Sequence, residues 1–61
     1  MPLIQVTLAE GRTSEEKRAL LASITEAVIE SIGAPKASVR VWINEVRRSE
    51  FMAAGELLSE R

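Results

Sequence analysis

The chain is predicted to be a small mixed α/β (α+β) domain, a single β-α-β unit followed by a short C-terminal hairpin. Three observations carry this. Apolar and polar residues alternate in residues 2–8 (PLIQVTL) and again in residues 38–45 (SVRVWINE), the period of a half-buried strand. The segment between them repeats apolar side chains at helical spacing. A helix of that length between two strands makes a crossover, so the strands should be parallel and the connection right-handed.

In the first strand Ile4, Val6 and Leu8 alternate with Gln5 and Thr7. EGRTSEE follows, with Gly11 as the turn residue. Thr13 and Glu16 have the T-x-x-E spacing of a capping box, which starts a helix near Ser14. Its buried stripe is expected to be Lys17, Leu20, Leu21, Ile24, Ala27, Val28, Ser31 and Ile32, of which six are apolar. Gly33 suits a left-handed helix stop, and Pro35 prevents continuation. In the second strand Val39, Val41 and Ile43 share one face, and Arg40, Trp42 and Asn44 the other. The tail, RRSEFMAAGELLSER, should form a turn, a short hairpin and a frayed end.

Length sets the next constraint. Sixty-one residues form one domain at most, and a core that small rarely supplies more than about 3–5 kcal/mol alone. Without Cys there is no disulfide, and without His or Cys a zinc site is not expected. Oligomerisation is the remaining staple. The sheet face opposite the helix, bearing Trp42, is the expected association surface. A net charge of -1 and a pI near 5.3 give no electrostatic footprint for nucleic acid. No apolar run is long enough to span a membrane and no signal peptide is visible, so the expected location is the cytoplasm.

With no His or Cys, a general base must be a carboxylate, a lysine or a free amino terminus. Pro2 directly follows Met1, and loss of Met1 would turn its ring nitrogen into a free secondary amine. The ordinary reading of Pro2 is a tolerated strand start. Arg40 lies in an otherwise apolar strand; it is either an edge arginine reaching solvent or a fixed fork for a carboxylate. Arg12 after the turn glycine, Arg47 and Arg48, and Glu10, Glu15 and Glu16 read by themselves as solvated loop and helix-start charges. Phe51 reads as ordinary packing.

Taken together these residues resemble a known family. Met-Pro before an apolar strand, EGRT with EEKR, SVRVWINE, and then F with GELL are similar to the short tautomerases of the 4-oxalocrotonate tautomerase type. The resemblance spans essentially residues 1–61 as one tautomerase domain. Each motif alone is weak; four in order at the same spacing are strong. The resemblance implies that Met1 is removed and that Pro2 is the catalytic base. It implies that Arg40 is catalytic too, holding the carboxylate and 2-keto oxygen beside the reacting carbon. Arg12 would bind the distal carboxylate, and Phe51 would form an apolar wall. No metal or cofactor is implied. The implied partners are a small carboxylate or dicarboxylate substrate and other copies of the chain, in a homohexamer (a trimer of dimers) or a heterohexamer, with each site shared between chains.

Two departures accompany the resemblance. Trp42 stands where a small aliphatic residue is expected. Ala53 stands where dehalogenating relatives carry a water-activating Glu. The implied activity is a tautomerase acting on 2-hydroxymuconate-like 2-hydroxydienoates. The alternatives are another proline-dependent activity (hydratase, decarboxylase or weak dehalogenase) and a non-catalytic chain of a hetero-oligomer.

Overall fold

The computed structural model describes all 61 residues, Met1–Arg61. Strand β1, Leu3–Ala9, leads into helix α1, Ser14–Ile32, and then into strand β2, Arg40–Val46. Two two-residue strands follow, β3 at Met52–Ala53 and β4 at Glu56–Leu57, paired as an antiparallel hairpin. Single 3₁₀ turns occupy Lys36–Ser38, Arg48–Glu50 and Leu58–Glu60. β1 and β2 pair in parallel, in register from Leu3 opposite Arg40 to Ala9 opposite Val46.

The expected β-α-β unit and hairpin are therefore present, with three local differences. Both strands begin and end later than the alternation suggested; at the start of β2, Pro35–Ser38 closes a turn before Arg40 can join the ladder. Ser38 Oγ and Ser38 N both donate to Pro35 O there. The tail does not fray: Leu58 N donates to Phe51 O at 2.9 Å, and the last residues wind into a 3₁₀ turn. The helix stripe is also rotated. Lys17, Leu20, Leu21, Ile24, Thr25, Val28 and Ile29 are half-buried, whereas Ala27, Ser31 and Ile32 are exposed. A straight helix advances 3.6 residues per turn, so its covered face passes through 24/25 and 28/29. Thr25 is tolerated there because its hydroxyl donates to Leu21 O at 2.8 Å. Lys17 is tolerated because it meets Glu45 on β2 at 3.2 Å.

The helix starts as the spacing requires. Thr13 Oγ1 accepts from Glu16 N at 3.1 Å, and Glu16 accepts from Thr13 N at 3.0 Å. Gly33, at φ 68°, ends it in the left-handed region. The helix covers the sheet face of Ile4, Val6, Leu8, Val41 and Ile43, all half-buried. On the other face Leu3 is 62% exposed and Trp42 43%. No residue of the single chain is buried. Its radius of gyration is 14.5 Å, against about 10–11 Å for a compact chain of this length. No helix is long and apolar enough to cross a membrane.

Two predictions follow from this local structure. The Thr13 backbone N–H, ahead of Arg12, holds the Glu16 carboxyl below its ordinary value. A lowered folded-state pKa stabilises the folded chain above the unfolded value and loses that effect as pH falls through the folded one. Gln keeps the capping-box acceptor but not the charge. The melting temperature of wild type should therefore exceed that of Glu16→Gln at neutral pH, and the gap should close as pH drops below 4.5, the ordinary Glu value. A gap that widens in acid would be incompatible with this cap.

The β3–β4 turn has Ala54 at φ 54° and Gly55 at φ 81°. That is the geometry of a type I′ hairpin turn, where Asn or Gly is favoured at the first position. Ala pays for its Cβ in this region by about 1–2 kcal/mol, partly offset by the chain entropy a Gly would lose. Ala54→Gly should therefore raise unfolding free energy by roughly 0.5–1 kcal/mol in denaturant titration at fixed protein concentration. A loss of stability would show that the turn is held in another form.

Candidate active site

The parallel register brings Pro2 and Arg40 to one end of the sheet. Pro2 is half-buried ahead of Leu3, and its carbonyl accepts from Arg40 N at 3.0 Å. Arg40 follows the 3₁₀ turn Lys36–Ser38, and that turn aims its side chain. Nη1 donates to Ala37 O at 2.7 Å and to Val39 O at 3.2 Å. Both anchors use the same nitrogen, so Nε and Nη2 make no bond within the chain. That edge is the one able to grip both oxygens of a carboxylate. Arg40 is thus tethered by its own turn, with its Nε–Nη2 edge open.

Arg12 lies at the opposite end. It follows Gly11, whose φ of 124° permits the sharp exit from β1. Arg12 Nη1 lies 3.6 Å from Glu16 Oε2, an exposed i,i+4 pair worth little energetically. Seven strand residues separate Pro2 from this loop, roughly 23 Å at the usual rise. One small diacid cannot touch both in the same chain. Phe51 lies beyond the Arg48–Glu50 turn, at the start of the hairpin, and is 42% exposed. The four residues singled out in the sequence thus fall into one pair, Pro2 with Arg40, and two separate positions, Arg12 and Phe51.

Two concavities flank Arg12. One, of about 220 Å³, is lined by Leu8, Arg12, Glu16, Lys17 and Leu20. The other, of about 280 Å³, is lined by Leu8, Ala9, Glu10, Gly11, Arg12 and Arg48. Neither includes Pro2, Arg40 or Phe51. Glu10 is the residue that shapes the second. Its backbone N donates to Val46 O at 2.9 Å, and its Oε1 accepts from Arg48 N at 3.1 Å. Glu10 and Arg48 read as solvated charges in the sequence because they are 38 residues apart. The signal that would have found them is the register itself: once Ala9 pairs with Val46, the residues just beyond must meet. No group of acidic side chains, His or Cys is arranged to hold a metal ion.

Comparison with known proteins agrees with this fold. The family model described as "Tautomerase enzyme" matches residues 2–61. A relative from Ralstonia nicotianae, named a probable tautomerase, is 56% identical over 55 residues, spanning 90% of this chain and 79% of the relative. A 2-hydroxymuconate tautomerase of Comamonas testosteroni is 44% identical over 55 residues, spanning 90% of this chain and 87% of that protein. Among solved structures, a heterohexamer 4-oxalocrotonate tautomerase from Chloroflexus aurantiacus superposes with a TM-score of 0.92 at 32% identity, covering 98% of this chain and 97% of that one. The β-α-β unit, the C-terminal hairpin and the sequence match over nearly the full chain lead to one conclusion: this chain belongs to the tautomerase family and is an isomerase of the 4-oxalocrotonate tautomerase type.

Proposed function

We propose that the chain catalyses enol-to-ketone isomerisation of 2-hydroxymuconate-like 2-hydroxydienoates, with Pro2 as the general base. The observation that carries this is the Pro2–Arg40 backbone bond, which brings a potential amine and a guanidinium with a free bidentate edge to the same end of the sheet. While Met1 is attached, the Pro2 nitrogen is an amide and not a base. Once Met1 is cleaved, the neutral amine takes the 2-hydroxyl proton. The C2–O bond becomes a carbonyl and electron density moves along the diene. The resulting ammonium returns the proton at C3 or C5, so substrate and product differ only in proton position. Arg40 stabilises the negative charge that builds on the 2-oxygen and its neighbouring carboxylate. The reaction moves one proton and no electrons, so it calls for no redox cofactor. Ala53 offers no carboxylate to activate water, which favours tautomerisation over hydrolytic dehalogenation.

The substrate's far end needs a cation that the same chain cannot supply, because its own Arg12 is a strand-length away. We assign that role to Arg12 of a neighbouring chain, and Phe51 forms the apolar wall. The assembly proposed for such sharing is a homohexamer built as a trimer of dimers, and a heterohexamer, the state named for the Chloroflexus aurantiacus relative, is the other form. Two features support assembly: both β1 and β2 have an unpaired edge, and Leu3 and Trp42 expose apolar surface on the open face.

Arg40→Ala should lower kcat by about a hundred- to a thousandfold, roughly 2.7–4 kcal/mol, because it removes stabilisation of transition-state charge. Arg12→Ala should mainly raise KM, because a remote carboxylate is held equally in ground and transition states. Normal steady-state kinetics on 2-hydroxymuconate in both variants would refute the clamp. Intact mass should show the active protein without Met1; full activity with Met1 retained would exclude Pro2 as base.

Site sharing has its own test. Pro2→Ala and Arg12→Ala chains, unfolded together and refolded, should recover kcat/KM that neither shows alone, since mixed assemblies place an intact Pro2 beside an intact Arg12. A mixture no more active than its parts would sink the shared site.

A further inference from the structure

The concavity between the β1 exit and the β2 exit contains a second arginine, which the proton-transfer chemistry above does not use. We propose that Arg48 reads the distal carboxylate of the substrate together with Arg12, making this end of the chain a two-guanidinium subsite selective for dicarboxylates. The proposal rests on the tautomerase reading of the preceding subsection and deepens it.

Four observations support it. Arg12 and Arg48 line the same concavity of about 280 Å³. Glu10 staples the two loops that carry them, through its backbone N to Val46 O and its Oε1 to Arg48 N. Arg48 also opens the 3₁₀ turn Arg48–Glu50, closed by Glu50 N donating to Arg47 O at 2.9 Å, so its backbone is anchored on both sides. Finally, the nearby carboxylates are already engaged. Glu10 Oε1 accepts from Arg48 N, while Glu16 accepts from Thr13 N and faces Arg12. The Arg48 guanidinium itself has no hydrogen-bond or ion-pair partner in the chain, so its fork is available to an incoming anion. Leu8 and Ala9 add an apolar wall beside the two cations. A chain of methine carbons ending in a carboxylate matches that lining, whereas a neutral end would leave the Arg48 guanidinium without a counter-charge.

Arg48 is exposed, so its effect should be moderate. The reactive test compares 2-hydroxymuconate with the corresponding 2-hydroxydienoate monoacid, which lacks the distal carboxylate. Arg48→Gln should lower the ratio of diacid to monoacid kcat/KM by about three- to tenfold, chiefly through the diacid KM. Arg48→Lys, a point charge without the planar fork, should restore part of that ratio. Adipate, a saturated dicarboxylate, provides a readout independent of turnover. Its Kd by calorimetry should be weaker for Arg48→Gln than for wild type, and wild type should bind adipate more tightly than hexanoate.

An unchanged ratio and an unchanged adipate Kd in Arg48→Gln would overturn the proposal. So would wild type binding adipate no better than hexanoate. If wild type isomerises neither dienoate but adipate binding still weakens in Arg48→Gln, the dicarboxylate subsite stands and the proposed reaction falls.

Discussion

The parallel ladder between β1 and β2 is the interaction on which the rest of the molecule depends. Its register, Leu3 opposite Arg40 through Ala9 opposite Val46, decides which residues meet at each end. At one end it sets the Pro2 carbonyl on Arg40 N. At the other it delivers Glu10 to Val46 and Arg48. A slip of one residue would turn Val41 and Ile43 away from the helix and bring Trp42 beneath it. The hydrophobic alternation resists that slip, and the Lys17–Glu45 pair at 3.2 Å adds a polar marker of the same register. The turn Lys36–Ser38 acts on the start of β2. By ending just before Arg40, it fixes where the ladder begins and supplies the carbonyls that orient the guanidinium.

What the ladder cannot do is close a core. Two strands and one helix cover one sheet face only, so even the inner residues remain half-exposed, and no residue is buried. The chain's surface of 4635 Å² exceeds the roughly 3,900 Å² of a compact globule of its mass. Stability and site completion are consequently the same problem. Leu3 and Trp42 project from the open face, and Met52 and Phe51 from the hairpin. In the proposed assembly, neighbouring chains would cover those surfaces and bring a second arginine to the Pro2 end. The bulk of Trp42 matters here, because a large ring on the open face constrains how closely another sheet can approach.

The local elements were legible because their causes are local. T-x-x-E spacing produced the capping box between Thr13 and Glu16, and Gly33 ended the helix. The helix stripe was legible only over its first part. Ala27, Ser31 and Ile32 fit an apolar pattern, but the sheet lies against the face of Thr25 and Ile29. Sequence spacing gives an angle around the helix, whereas packing decides which sector of that angle is covered. The tail was misjudged for a related reason: the bond from Leu58 N to Phe51 O links the two sides of a hairpin and leaves no local mark.

By itself, the amino-acid sequence determined the order of elements, the caps of the helix, and the family to which the chain belongs. Those properties depend on residue type and on spacing over a few positions, or on motifs strung along the chain. Tertiary structure alone decided that Pro2 and Arg40 meet at one end of the sheet and that Glu10 holds Arg48 beside Arg12. Each of these is a distance between residues brought together by the sheet, and a distance of that kind is set by the ladder register and by the hydrogen bonds of two turns.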